Sequence, residues 1–267
     1  MQNRIEDDIE RAEKQSNGFL SSSHSHLIQE PSSTTSSPEP LRIAVLVNTA
    51  PNNEFWNDVR KSYHAVFRDV APDTQIDMHN PVFQDNSSDP REYDLIVLSG
   101  GKADASSSEP WVLARESPKT KILGICWGHQ AITRAFGGEV RAVPTSPIAG
   151  LENVKLTEAG KKSFACALDI NSYSLPEFHV REVAKPGLGV VHLAENHEMF
   201  VNQENTVLLF QAHPDIEAAL AKKLLLEEDD VYNGNLSQQE LEDHLKKLDH
   251  LTDGVKVLRR VIECVKE

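Results

Sequence analysis

Apolar residues fall in this chain in two rhythms. Unbroken β-branched runs appear at "LRIAVLVN" (41–48), "YDLIVLSGG" (93–101) and "KILGIC" (121–126), each bounded by turn residues. Such runs are what strands buried on both faces of a parallel sheet require. Between the first two, Phe55, Val59, Tyr63, Val66 and Val70 recur at helical spacing, which predicts a helix from about 54 to 70, ended by Pro72. Pro110 suits the first turn of a second helix before "KILGIC". Strands alternating with helices predict an α/β fold, with an open, mostly parallel sheet and helices on both faces. After Gly138 the rhythm changes. "EVRAV", "LENVKL", "FHVREV", "LGVVHLA", "EMFVNQ" and "TVLLFQA" follow in close succession and predict a small antiparallel extension of the same sheet. Helical sequence resumes at about 216, with Val255, Leu258, Ile262 and Val265 at helical spacing.

Ahead of the first run, residues 15–40 are dominated by Ser, Thr, Pro and His, too polar to offset the entropy of ordering. Residues 1–40 are therefore expected to be a disordered extension and residues 41–267 a single domain. His24 and His26, in that serine tract, read as solvated rather than as metal ligands.

Charge narrows the partners. Asp and Glu outnumber Lys and Arg by 41 to 27, a formal charge of −14, so the protein's field repels phosphate backbones and anionic bilayers. Neither nucleic acid nor membrane is expected as a partner. Cys126, Cys166 and Cys264 are odd in number and form no C-x-x-C pair, which fits a reducing, cytoplasmic setting better than a disulfide framework or zinc site. The N-terminus carries no signal-peptide pattern and no run is long enough to span a bilayer. No metal or other cofactor is expected.

The candidate chemistry starts at "GICWG" (124–128), where a strand gives way to a helix. Its G-x-C-x-G spacing is that of a nucleophile elbow, a turn so sharp that side chains at the flanking positions would collide. An elbow would point Cys126 outward at the positive end of a helix dipole and aim the Trp127 N–H at an adjacent oxyanion. The same five residues also fit a buried structural thiol in a glycine-rich turn.

A thiol nucleophile needs a histidine to manage its proton, and that histidine needs an orienter. "VLLFQAHPD" (207–215) offers both: His213 follows an apolar strand, and Asp215 lies two residues on. An extended backbone returns such side chains to one side about 6.5–7 Å apart. Other histidines compete for the role on pattern alone. His129 should point away from the thiol from the first helical turn, and His197, flanked by acids, reads as a solvated loop residue. Cys166 and Cys264 read as packing residues, Trp111 as packing the helix before the elbow, and Lys161 and Lys162 as a solvated turn.

With these segments placed, residues from about 41 to 230 resemble the class I glutamine amidotransferase domain, particularly its stand-alone, GMP-synthase-like members. The resemblance rests on "YDLIVLSGG", "DASSSEPWV", "GICWGHQAITRAFGG" and "LLFQAHPD", in that order. It implies the flavodoxin-like fold of that family, with Cys126 as nucleophile, His213 as general base and acid, and Asp215 as orienter. It further implies oxyanion N–H groups from Gly101 and Trp127, and substrate binding by Gly100 and Gln130. Three positions depart from the pattern: Asp215 stands where the family usually has Glu, Lys102 follows Gly101 where proline is frequent, and Arg181 stands where some relatives carry aspartate.

The implied reaction is hydrolysis of a γ-glutamyl amide through a glutamyl thioester. With glutamine as substrate the product is ammonia, which would pass to a separate synthase, since none is fused here. A γ-glutamyl peptidase acting on glutathione-like conjugates is the alternative within the same chemistry. A weakly active regulatory member is a further alternative, and a redox protein with an elbow cysteine would explain Cys126 but not the HPD segment.

Overall fold

The structure is a computed structural model of the chain and describes residues 39–48, 54–81, 89–101, 105, 120–164, 170–227, 231–250 and 252–267. The lead-in before residue 39, Lys102, Pro110, Trp111 and Cys166 lie outside the described residues.

Strand β1 (Arg42–Asn48) is buried along most of its length, as its unbroken apolar run requires. It pairs in parallel with β2 (Gln75–His79) on one side and with β3 (Leu95–Gly101) on the other. β3 continues to β4 (Lys121–Ile125), again in parallel. The next neighbour comes from far along the chain: β11 (Val207–Phe210) lies parallel to β4, with Leu209 opposite Gly124. Two antiparallel strands, β10 (Met199–Asn202) and β9 (Val190–His192), complete a seven-stranded sheet in the order β2-β1-β3-β4-β11-β10-β9.

The expected extension is thus only partly realised. Of the six short pieces after Gly138, "TVLLFQA" joins the parallel part, and only "EMFVNQ" and "LGVVHLA" extend the sheet in antiparallel fashion. The others leave it. β5 (Glu139–Ala142) pairs with β8 (Arg181–Lys185), and β6 (Ile148–Lys155) with β7 (Ser172–His179), in two separate two-stranded sheets. "FHVREV" is therefore not one strand, because it breaks at Val180 between β7 and β8. β2 was not expected: "QIDMH" is an edge strand, half-buried rather than buried, so it has no apolar run to announce it.

Helices cover both faces. On one, α1 (Glu54–Val70) packs Tyr63, Val66 and Phe67 beside Val257, Leu258, Val261 and Ile262 of α6 (Gly254–Lys266), all in one core with Ile43, Val45 and Leu123. On the other face Ile132 of α2 (Trp127–Ala135) packs with Ile122, Phe200 and Leu209. α2 ends where Gly137 adopts φ +80°, the left-handed conformation that closes a helix and favours glycine. "EAGKKSF", expected as a turn, forms the short helix α3 (Glu158–Phe164), with Lys161 bonded to Glu158 at 2.7 Å. α4 (Ala218–Glu227) and α5 (Gln238–Lys247) contribute to a third cluster around Ala221, Leu225 and Leu248. α5 opens on a full capping box between Ser237 and Glu240. No helix among the described residues is long and apolar enough to cross a membrane.

Candidate active site

Because β3, β4 and β11 are adjacent and parallel, their carboxyl ends meet at one edge of the sheet, where open α/β sheets bind ligands. β3 brings Gly100 and Gly101 there, β4 brings Cys126, and β11 brings His213.

Cys126 has φ 50° and ψ −101°, a conformation that non-glycine residues rarely adopt and that surrounding structure must enforce. Two backbone bonds hold it, from Cys126 N–H to the Phe210 carbonyl at 2.7 Å and from Gln130 N–H to the Cys126 carbonyl at 3.0 Å. Both elbow glycines are required by close approach. A Cβ at Gly124 would lie 2.8 Å from Leu209 Cδ2 and 2.9 Å from the Gly128 carbonyl, and one at Gly128 would overlap the Leu98 carbonyl oxygen. Cys126 is also the N-cap of α2, whose first turn holds no acidic residue, so the positive end of the helix acts on the sulfur undiluted. The buried thiol donates weakly to the Phe178 carbonyl at 3.7 Å.

His213 is buried, and its backbone N–H is fixed to the Pro176 carbonyl at 2.8 Å. Its Nδ1 lies 3.2 Å from Asp215 Oδ1. The other side of the ring faces Gly100 and Cys126: a Cβ at Gly100 would sit 2.8 Å from His213 Cε1, 3.6 Å from Nε2 and 3.6 Å from Cys126 Cβ. Glycine is what allows imidazole and cysteine to approach across this strand end. Burial works against a charge on His213, but the Cys126 sulfur and the Asp215 carboxylate outweigh it and raise its pKa to about 10. Asp215 is buried, and its backbone carbonyl accepts a hydrogen bond from the Ser62 hydroxyl of α1. The Tyr63 phenol, buried beside Asp215, is held well above its usual pKa by burial and by that carboxylate.

Gly101 is wedged against Asn48, where a Cβ would lie 2.5 Å from the Asn48 carbonyl oxygen. Asn48 in turn braces the strand end, its N–H donating to Ser99 Oγ and its Nδ2 to the Ser99 carbonyl, both at 3.0 Å. Trp127 is the first residue of α2, so helix geometry leaves its N–H without an intrahelical acceptor. Gln130 is buried, with Nε2 donating to the Arg181 carbonyl at 2.7 Å and to Gln211 Oε1 at 3.0 Å. Its amide N–H groups thus face the scaffold, and only Oε1 is left to turn toward a ligand.

Two histidines differ from expectation. His197 is no solvated loop residue: it is half-buried in a 3-10 turn (Glu195–His197), with Nδ1 2.9 Å from the Val183 carbonyl. His179, expected at the surface or half-buried, is buried between the Arg181 carbonyl and Glu177. His129 does point away from the thiol. It stacks on Phe200 at 5.3 Å, and burial lowers its pKa to about 3.

Sequence reasoning missed Glu177 and Glu198. With His179 they form a largely buried group whose potential ligand atoms lie within 4.8 Å of one another. Burial, together with Glu177, raises the Glu198 pKa to about 9. The available signal was an acid within each of two strand-forming segments, "LPEFH" and "EMFVN".

Residues 57–230 match the family model for glutamine amidotransferase class-I, and the chain belongs to that family. It is 46% identical over 237 residues to the glutamine amidotransferase-like protein chyE of Penicillium rubens, an alignment covering 85% of this chain and 98% of the relative. It is 29% identical over 201 residues to gamma-glutamyl peptidase 2 of Arabidopsis thaliana, covering 70% of this chain and 79% of the relative. Among solved structures, a glutamine amidotransferase from Thermotoga maritima superposes with a TM-score of 0.64 at 18% identity, over 85% of this chain and 99% of the other.

Proposed function

We propose that the protein hydrolyses γ-glutamyl amides through a thioester on Cys126. The observation that carries this reading is the junction of a strained cysteine at a helix N-terminus with a buried histidine whose charge that cysteine sustains. The reactive form is the pair in which the Cys126 proton has passed to His213. The thiolate attacks the γ-carbonyl carbon, and the new oxyanion accepts hydrogen bonds from the Gly101 and Trp127 N–H groups. As the C–N bond breaks, the His213 proton passes to the departing nitrogen. Neutral His213 then takes a proton from water, whose oxygen displaces sulfur from the thioester. Glutamate leaves, and the ion pair is restored. Asp215 keeps the Nδ1 proton in place throughout; its 3.2 Å reach supports an aspartate serving where the family usually has the longer glutamate.

With glutamine as substrate the leaving group is ammonia, and a separate acceptor enzyme would use it. The likeness to a γ-glutamyl peptidase favours a second reading, in which the leaving group is the amine of a glutathione-like peptide. Glutamate release from glutamine and from glutathione, by wild type and by Cys126→Ala, tests both. We expect release from at least one substrate and a loss of at least ~10³-fold in the variant. Equal release by the two proteins would exclude the thiol mechanism.

A further inference from the structure

Beside the elbow lies a largely buried acidic cluster, Glu177, His179 and Glu198, that the mechanism above does not use. Phe178, whose carbonyl touches the Cys126 thiol, sits on β7 between Glu177 and His179. Glu198 enters from β10's start, its carbonyl accepting the Gln211 N–H at 2.8 Å, next along the chain from Phe210, which holds Cys126 N–H. The backbone therefore places both glutamates within side-chain reach of the nucleophile.

The internal bonding of this cluster is one-sided. His179 Nδ1 donates to the Arg181 carbonyl at 2.9 Å and Nε2 meets Glu177 Oε2 at 3.1 Å, so both ring nitrogens are engaged and the ring serves to orient Glu177. That engagement argues against a metal ion here, because the imidazole has no ring nitrogen left to offer it. Among the described residues Glu198 Oε2, shut off from solvent, has no hydrogen-bond partner. The groups that act most strongly on Glu198, namely Glu177, Glu182 and Cys126, all oppose its ionisation. Beside it Gln211, 2% exposed, has an Nε2 that also lacks a partner among the described residues, while its Oε1 is held by Gln130. A buried carboxyl that keeps its proton until a cation arrives, next to a buried donor with no partner among the described residues, both close to Cys126, calls for a ligand that carries an ammonium and a carboxylate on one atom, the carboxyl proton leaving to solvent as the ammonium binds.

We infer that Glu198, backed by Glu177, receives the α-ammonium group of the substrate, with the Gln211 amide donating to the α-carboxylate on the same carbon. A γ-glutamyl group has the required reach, since its α-nitrogen lies about 5 Å from the scissile carbonyl carbon when extended at ordinary bond lengths. This inference rests on the hydrolase reading and deepens it. The recognised feature is the free α-amino acid end, common to glutamine and to γ-glutamyl peptides whatever their leaving group.

The test compares kcat/KM for glutamine and glutathione with that for their des-amino counterparts, in wild type, Glu198→Gln and Glu177→Gln. For whichever parent substrate is turned over, wild type should prefer it to its des-amino counterpart by ~30-fold or more. In Glu198→Gln the KM for the parent should rise, and its kcat/KM should fall far more than that of the des-amino compound, so that the ratio collapses toward unity. The wild-type ratio needs no variant, and Glu177→Gln should shrink it even if Glu198→Gln does not fold. A wild-type ratio near unity, or variants that keep the full ratio, would overturn the inference and leave the hydrolase reading standing. Activity abolished by a chelator and restored by a divalent cation would assign the cluster to an ion and overturn it too. No turnover of any substrate would remove the hydrolase reading and this inference with it.

Discussion

At Gly100 the lack of a side chain is what lets His213 and Cys126 approach each other. Gly100→Ala would place a methyl group 2.8 Å from His213 Cε1, and the imidazole would have to swing away from the sulfur. Displacements of about 1 Å in a catalytic array cost ~100-fold in rate, so kcat should fall by that order while the melting temperature changes little; steady-state kinetics beside a thermal melt would check it. Asp215→Asn should preserve the fold and remove the negative charge that helps hold His213 near pKa 10. We expect a ~10²–10⁴-fold loss in kcat and a downward shift of the alkaline limb of the pH–rate profile. Much of this was legible in the chain itself. The elbow glycines and the H-x-D spacing name residues whose chemistry depends on short-range geometry, and the structure brings Cys126, His213, Asp215, Gly100, Gly101 and Trp127 to one edge. Glu177 and Glu198 were not legible, because an acid in a strand segment reads as solvent-facing until the pairing of β7 and β10 is known. Gln130 lies on the helix after the elbow, where its place in the sequence puts it, but sequence could not reveal that its amide N–H groups face Arg181 and Gln211.

Elements carry the site by where they end. β3, β4 and β11 were recognisable because each is an apolar run that stops at a glycine, a cysteine or a histidine-proline pair. Their adjacency was not, since β11 lies more than eighty residues beyond β4 and local pattern holds no record of such pairing. The same limit explains the pieces that left the sheet. β5 with β8 and β6 with β7 alternate like any half-buried strands, and only tertiary partners decide which sheet they enter. One contact ties a distant helix to the chemistry. A Cβ on Gly254, at the start of α6, would lie 2.5 Å from the carbonyl of Pro214, the residue that joins His213 to Asp215. Asp253, just before it, is locked to β7 by backbone and side-chain bonds with Ser174, each at 2.9 Å. Gly254→Ala should therefore lower kcat by about tenfold or more through the displaced His213–Asp215 pair. Val257→Ala, farther along the same helix, should instead lower stability by ~2–4 kcal/mol with kcat intact, as measured by denaturant unfolding.

Across the whole molecule, the buried titrating groups set a preference for pH below strongly alkaline values. Glu198, with a folded pKa of about 9 against an ordinary 4.5, retains a proton that the unfolded chain gives up. Its burden on stability therefore starts as pH rises past 4.5, grows until about 9, and then levels off. Glu198→Gln keeps the shape and removes that burden, so it should raise the melting temperature of the free protein more at pH 8 than at pH 5. His213 behaves as a raised base: the stability it gains from its partners is complete below its unfolded pKa and is lost as pH rises through about 10. Activity should fall over the same alkaline range, since the proton it loses there is the one owed to the leaving group. The central claim is that Cys126 is the nucleophile for a γ-glutamyl carbonyl. Its most direct test is stoichiometric labelling with a chloromethyl ketone analogue of glutamine, located by peptide mass. We expect one adduct, on Cys126, slowed by glutamine and absent in Cys126→Ser. Labelling that is absent, that falls on Cys264, or that persists in the variant would contradict it.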